Sequence, residues 1–170
     1  LQIIQNVAEI CEHKLGDVGE AFIWWLRAYI DDPQSEQVAE ELERLAELTQ
    51  EWGHIVDVGD QILAEEQSPE VKLNVLGRSA RVLDEKLQDY ARAIEYYRAV
   101  LELDAEHAAA LSALDRIYTA AGMAQDLAEI LQRRIQITMD GEELVGLEVK
   151  FAQTFECDLG NVDQAIAAYN

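Results

Sequence analysis

Apolar residues recur along the chain at intervals of three or four positions. The first two runs consist of Ile3, Ile4, Val7, Ile10 and Cys11, and then of Ala21, Phe22, Trp25 and Tyr29. The short segment Leu15-Gly16-Asp17 separates them. Residues three or four positions apart share one face of a helix. The pattern therefore predicts two amphipathic helices joined by a tight turn, which is a helical hairpin.

The same spacing predicts helices along the rest of the chain. They span about 1–14, 17–31, 36–51, 53–66, 70–86, 89–103, 106–121, 124–138, 142–158 and 161–170. Breaks between hairpins fall at Asp32-Pro33, Ser68-Pro69, Asp104-Ala105 and Asp140-Gly141. The prediction is one all-α repeat domain over 1–170, with hairpins at about 1–33, 34–69, 70–105, 106–140 and 141–170.

A local pattern returns every 72 residues. Its copies are Lys14-Leu15-Gly16-Asp17 with Ala21 and Trp25, Lys86-Leu87-Gln88-Asp89 with Ala93 and Tyr97, and Leu159-Gly160-Asn161 with Ala165 and Tyr169. A second hairpin type fills the interval, because Glu43-Arg44-Leu45 matches Asp115-Arg116-Ile117 at the same spacing. The first, third and fifth hairpins carry one extra residue at the turn. A fixed period of this size indicates a repeat array in which stacked units share one core.

The turn of the first hairpin type is specified by its chemistry. Asp17, Asp89 and Asn161 each begin a second helix, where a short side-chain oxygen accepts from free backbone amides of the first turn. The preceding Gly16 and Gly160 can close the first helix in the left-handed conformation.

The first hairpin resembles the tetratricopeptide repeat in the order of its small, aromatic and turn residues. These are Ala8, Leu15-Gly16, Ala21, Trp25, Ala28 and Pro33. The third hairpin departs from the pattern at Val100 and Ala105, and the second and fourth diverge further. The resemblance covers the whole chain and implies a right-handed superhelical solenoid of about five antiparallel hairpins. The alternation of two hairpin types is similar to long bacterial tetratricopeptide arrays.

Small residues recur where the two helices of a hairpin would cross. They are Ala8, Ala80 and Ala152 on the first helix, and Ala21, Ala93 and Ala165 on the second. The aromatic positions beside them are Trp25, Tyr97 and Tyr169. We interpret these as packing, because an aromatic stripe at helical spacing usually lies in or beside a core. Trp24, Tyr29 and Tyr96 are interpreted in the same way, with a ligand platform as the alternative.

The chain is acidic, with a net charge of −21. Binding of nucleic acid requires clustered Lys and Arg, so this charge argues against it. The longest apolar run, Ala21 to Leu26, is far shorter than the ~20 residues of a membrane span. Acidic residues concentrate between positions 34 and 69, which indicates a solvated face or, as the alternative, a surface for a basic partner.

Cys11 aligns with core positions of the repeat, whereas Cys157 aligns with polar ones. They lie two copies apart, so we expect reduced thiols, and the expected compartment is the cytoplasm. Both ends of the chain fall inside apolar helices. We therefore expect a piece of a longer array, with Leu1, Ile3, Ile4, Ile166 and Tyr169 partly exposed or covered by a neighbouring chain, and possible end-to-end self-association.

The sequence offers no constellation typical of catalysis. His13, His54 and His107 lie in different hairpins without metal-ligand spacing, and no glycine-rich phosphate loop or nucleophile motif occurs. We therefore predict a protein that is not an enzyme and that has no cofactor or metal.

One row of residues does suggest binding. The resemblance to tetratricopeptide repeats implies that the first helix of each hairpin lines a concave groove. The repeat position that faces this groove is then occupied by Glu9, Arg44, Arg81, Arg116 and Gln153. Guanidinium groups bind carboxylates in a bidentate manner, so the three arginines are candidates to clamp an acidic or C-terminal segment. The alternative is that they pair with acids of the chain itself, such as Glu40, Glu47, Asp84, Glu85 or Asp115.

The resemblance and these residues together predict a protein-protein interaction scaffold that binds a peptide or protein segment in its concave groove. The alternative is a regulatory or assembly segment of a larger multidomain protein. An enzyme built on a helical toroid is disfavoured because no site converges.

Overall fold

The computed structural model describes residues 2–65 and 68–158, with side chains described up to 156. This part of the chain is helical and contains no strand. The helices are α1 Gln2–Ile10, α2 Val18–Asp31, α3 Glu36–Thr49, α4 Trp52–Glu65, α5 Pro69–Arg81, α6 Tyr90–Leu103, α7 Ala108–Ala121, α8 Ala124–Ile137 and α9 Gly141–Gln153. One turn of π-helix extends α1, α5 and α9, at Cys11–Leu15, Val82–Lys86 and Thr154–Asp158.

The chain forms two compact units, residues 1–96 and 97–170. In the first unit α1 packs on α2, α2 on α3 and α4, and α4 on α3 and α5. In the second unit α8 packs on both α7 and α9. The predicted all-α helical-repeat fold of the solenoid class is confirmed, and the predicted helix bounds agree closely with those observed. The predicted helix at 161–170 lies outside the described residues.

Turns between paired helices depend on one left-handed residue each. Gly16, Gln50, Gln88 and Gly122 all have a φ between +55° and +70°. Gly16 and Gln88 are related by the 72-residue period, and so are Gln50 and Gly122. Each related pair therefore keeps one backbone conformation while glycine and glutamine exchange places. The predicted role of Gly16 is confirmed, and Gly160 lies outside the described residues.

The extra residue of the first and third hairpins is accommodated inside the helix and not in the turn. The backbone N–H of Leu87 donates to the carbonyl of Val82, five residues back, and that of Asp89 donates to Leu83, six residues back. Asp17 donates to Cys11 in the same way. A single π-turn is the usual means by which a helix absorbs an inserted residue. The π-turns occur in the first, third and fifth hairpins.

The predicted caps are present. Asp17 accepts from the backbone N–H of Glu20 at 2.9 Å, and Asp89 accepts from that of Arg92 at 3.2 Å. In the second unit His107 caps α7, because its Nδ1 accepts from the N–H of Ala110 at 3.2 Å. Asn161 lies outside the described residues.

The packing residues lie where the repeat pattern placed them. Ala8, Ala80 and Ala152 are fully buried, as are Ala21 and Ala93. Trp25, Tyr29 and Tyr97 are buried too, whereas Trp24 and Tyr96 are half-buried. The packing interpretation is thus confirmed for the described copies, while Ala165 and Tyr169 lie outside them.

Cys11 is buried and carries a free thiol, as its core position predicted. The side chain of Cys157 is outside the described part. Ile3 is 78% exposed and Ile4 is half-buried, and Leu1, Ile166 and Tyr169 are not described. Among the described helices, none has the length and apolar character needed to cross a membrane.

Candidate partner-binding surfaces

Arg44 is held on α3 by two carboxylates. Its Nη2 donates to Oε2 of Glu12 at 2.6 Å and its Nε donates to Oε2 of Glu41 at 2.9 Å. The hydrogen bond from Arg44 holds the pKa of Glu12 below its ordinary value, and the same bond raises the pKa of Arg44. Glu9 and Arg44 line one hollow of about 210 Å³, so the structure brings together two of the predicted site residues.

Arg81 shares its carboxylate with a second arginine. Nη2 of Arg81 donates to Oε1 of Glu43 at 2.6 Å, and Nη1 of Arg78 donates to the same oxygen at 2.5 Å. The side chain of Arg78 is largely buried, whereas that of Arg81 is 46% exposed. Beside this cluster, burial raises the pKa of Tyr29 to about 12, and the nearby Arg78 opposes the shift. The hydroxyl of Tyr29 is therefore a neutral neighbour of the ion pair at physiological pH.

Arg116 is exposed on α7 and lies at a hollow of about 350 Å³ with Lys150 and Asp115. Asp115 is buried and accepts from Nζ of Lys150 at 2.5 Å and from Nη1 of Arg134. Gln153 is exposed on α9 of the same unit. Because Arg116 and Gln153 belong to the second unit, a groove that runs past all five predicted residues stays a prediction.

For Arg44 and Arg81, the observed carboxylate partners differ from the acids suggested by the sequence. Arg44 pairs with Glu12 and Glu41, and Arg81 pairs with Glu43. Glu47 instead accepts from Lys86 at 2.9 Å, and the ammonium group lies 4.5 Å from the ring centroid of Trp52. Glu12 and Glu43 are more than 30 positions from their arginines, so sequence proximity could not have identified them. Their positions depend on how the first helices of successive hairpins pack.

The ion pairs of Glu43 and Asp115 follow the 72-residue repeat. Glu43 and Asp115 are 72 positions apart, and so are their cations Arg78 and Lys150. The sequence contains this signal, since both acids precede their cation by 35 residues. In both units this ion pair joins the first helix of one hairpin to the first helix of the next.

A further hollow, which sequence analysis did not identify, lies in the second unit between α6 and α8. Its volume is about 850 Å³, within the range of ordinary ligand sites of about 300–1,000 Å³. Leu101, Ile130 and Ile137 provide apolar surface, and Tyr118 of α7 lies at the base. We call it the α6–α8 groove. A gap of this kind depends on helix spacing, which a residue pattern does not encode.

The acidic stretch predicted as a solvated face is partly internal to the ion-pair network. Glu36, Glu41, Glu43, Glu47 and Asp60 each pair with a basic residue on the same or another helix. Across the described residues, His, Cys, Asp and Glu do not gather in a group that could hold a metal ion.

Residues 74–107 match the family model of the tetratricopeptide repeat. The described part of the chain has an all-helical repeat fold, and within it the segment 74–107 is similar to the tetratricopeptide repeat. Such repeats typically act as protein-protein interaction scaffolds and not as enzymes.

Solved structures of MamA share this fold. A MamA RS-1 ArsTM double mutant is 15% identical with a TM-score of 0.54, and the match covers 99% of this chain and 89% of that one. A crystal structure of MamA is 14% identical with a TM-score of 0.54, covering 93% and 88%. MamA 41-end from Desulfovibrio magneticus RS-1 is 15% identical with a TM-score of 0.52, covering 99% and 90%. At these identities the likeness concerns the fold alone. No curated protein sequence matches the chain.

Proposed function

We propose that this chain is an interaction scaffold whose first helices bind carboxylates of an extended protein segment, with α1, α3 and α5 providing such a surface in one unit and α7 and α9 providing one in the other. The observation that carries the proposal is the convergence of Arg78 and Arg81 on a single oxygen of Glu43. We call the surface of these helices the first-helix face.

Charge at the Glu43 cluster supports a carboxylate ligand. Glu43 is shared by two guanidinium groups, but Arg78 has Glu36 as a second carboxylate at 3.5 Å, whereas the more exposed Arg81 has Glu43 alone among the described residues. A guanidinium has five N–H donors, and Arg81 uses one of them toward Glu43. Because the side chain is 46% exposed, a carboxylate of a partner can reach the remaining donors, and the planar guanidinium suits its geometry.

Arg44 and Arg116 extend the same chemistry to other hairpins. Both are exposed on first helices, and each lies at a hollow. Glu9 and Gln153 add an acceptor and an amide at equivalent repeat positions. A segment that bound here would exchange its carboxylates for those of the chain, such as Glu12. The affinity of the segment would thus depend on how much more strongly the arginines bind its carboxylates than those of the chain itself.

The test is selection from a phage library of random 12-residue peptides, followed by titration of the selected peptides as synthetic compounds. We expect peptides rich in Asp and Glu or with a required free C-terminus. Arg81→Gln should weaken their binding about tenfold, which corresponds to about 1.4 kcal/mol. Arg81→Lys should weaken it less, since it keeps the charge but loses the fork.

The matched control is Arg27→Gln, which removes one exposed arginine from α2, outside the first-helix face. Its binding should equal that of the parent chain, and both glutamine variants should keep the parental melting temperature within a few degrees. Selected peptides without acidic groups, or equal binding by the Arg81→Gln and parent chains, would contradict the proposal.

A further inference from the structure

The α6–α8 groove belongs to second helices and is separate from the first-helix face. α8 lines the groove from Asp126 to Ile137, about 17 Å at 1.5 Å per residue, and α6 lines it with its C-terminal end. A helical segment of about 12 residues has a similar length. Leu101 and Ile130 form a buried apolar floor, and Ile137 is half-buried at its edge.

One wall of the groove is closed by a network between three helices. Nε of Arg98 on α6 donates to the hydroxyl of Tyr118 on α7 at 2.8 Å, and its Nη2 pairs with Asp126 on α8. Burial raises the pKa of Tyr118, with Arg98 opposing the shift. This phenol therefore stays neutral and accepts from the guanidinium. The positive charge of Arg98 is neutralised by Asp126 within this wall of the groove.

The remaining charges leave the groove acidic. Arg133 pairs with Glu129 at 2.7 Å within α8, and Arg98 is already paired with Asp126. Glu102 and Glu106 also line the groove, both are exposed, and neither has an ion-pair partner among residues 2–65 and 68–158. Two carboxylates are thus left without a cation beside an apolar floor.

We propose that the α6–α8 groove docks a basic amphipathic segment of a partner protein. Its apolar side chains pack on Leu101, Ile130 and Ile137, and its Lys or Arg residues pair with Glu102 and Glu106. The net charge of −21 adds a long-range attraction for such a segment. This site is independent of the first-helix face and selects the opposite charge.

The experiment uses the whole chain and the random 12-residue library in 0.15 M salt, where the Debye length is about 8 Å and diffuse attraction is screened. We expect a second class of peptides with Lys or Arg and apolar residues at helical spacing. Synthetic peptides of this class should bind Glu102→Lys/Glu106→Lys at least tenfold more weakly than the parent chain. They should be insensitive to Arg81→Gln, which separates this site from the first-helix face.

Two further variants make the result specific. Glu40→Lys/Glu51→Lys changes the net charge equally at exposed positions of the first unit, and should weaken binding no more than about twofold, a difference of about 0.4 kcal/mol. Ala105→Trp places a large side chain at an exposed position that lines the groove, and should block binding without changing the circular dichroism spectrum. Equal weakening by the two lysine pairs, normal binding by Ala105→Trp, or a selection without basic apolar peptides would overturn the proposal.

Discussion

Glu43 and Asp115 occupy the same repeat position in the two units but have different structural roles. Glu43 is 23% exposed and receives one largely buried arginine and one exposed arginine from α5. Asp115 is only 7% exposed and joins Arg134 of α8 to Lys150 of α9. The first acid presents a cation to solvent, whereas the second connects three helices. One repeat position can thus provide either a binding group or a structural joint, depending on which neighbour supplies the second cation.

The largest expected effect is loss of the buried acid. Asp115→Ala removes the buried carboxylate that joins Arg134 to Lys150 and should destabilise the chain by about 3 kcal/mol, with Arg134 keeping Glu143 as a partner. Glu43→Ala should cost less, about 1.5 kcal/mol, because Arg81 can turn into solvent and the largely buried Arg78 keeps Glu36 as a partner. Urea unfolding followed by circular dichroism measures both. Equal losses would show that the two acids have the same structural role.

A second difference lies where α4 crosses α5. A Cβ on Gly59 would lie 2.6 Å from Oγ of Ser79, whereas a Cβ on Gly53 of the same helix meets nothing within 4 Å. Gly59→Ala should therefore destabilise the chain by about 1–3 kcal/mol through overpacking. Gly53→Ala should stabilise it by about 0.5 kcal/mol, since alanine restricts the unfolded chain.

Position 131 corresponds to Gly59 in the second unit and is a buried leucine. The glycine at this helix crossing is thus specific to the first unit. The double variant Gly59→Ala/Ser79→Ala should recover most of the lost stability, because the nearest remaining contact on residue 79 is its Cβ at 3.9 Å. A double variant as unstable as Gly59→Ala would exclude this clash as the cause.

The third test exchanges the turn residues that are 72 positions apart. Gly122→Gln should cost about 1 kcal/mol, because an L-residue is strained in the left-handed conformation. Gln50→Gly should gain less, since Nε2 of Gln50 donates to the carbonyl of Glu47 at 2.6 Å and glycine loses that bond. Thermal melts of both variants measure the difference. Opposite signs would contradict the assignment of strain.

The smallest expected effect concerns the helix caps. His107→Ala removes the acceptor for the N–H of Ala110 and should cost about 0.5–1 kcal/mol, whereas His107→Asn keeps an acceptor and should be neutral. Ser35 occupies the equivalent position before α3 and makes no side-chain cap bond. Ser35→Ala should therefore leave the melting temperature unchanged, and a loss equal to that of His107→Ala would refute this distinction.

The periodic features of the fold could be predicted from the sequence, because they depend on neighbouring residues. Helix bounds follow the spacing of apolar residues, and the burial of Ala8, Ala80 and Trp25 follows from their repeat positions. The left-handed conformation of Gln50 and Gln88 could not be predicted from residue type, since glutamine has no preference for it. The 72-residue alignment with Gly122 and Gly16 did contain that information.

The candidate sites were less accessible to sequence reasoning. Arg44 and Arg81 are exposed, but their pairing with Glu12 and Glu43 depends on the packing of helices distant in sequence. The α6–α8 groove depends on a gap between helices and on which of its acids are already paired. Such properties arise from three-dimensional spacing, which a one-dimensional pattern does not specify.

The π-turns determine how such a chain can be lengthened or shortened by genetic engineering. Because the inserted residue returns only in alternate hairpins, the exchangeable module is two hairpins long. Joining Gly16 directly to Asp89 deletes residues 17–88 and keeps a left-handed residue followed by an aspartate cap. Joining Gly16 to Glu51 would instead connect a π-turn to a helix that normally follows an ordinary α-helical end. Designed arrays should therefore grow in steps of 72 residues.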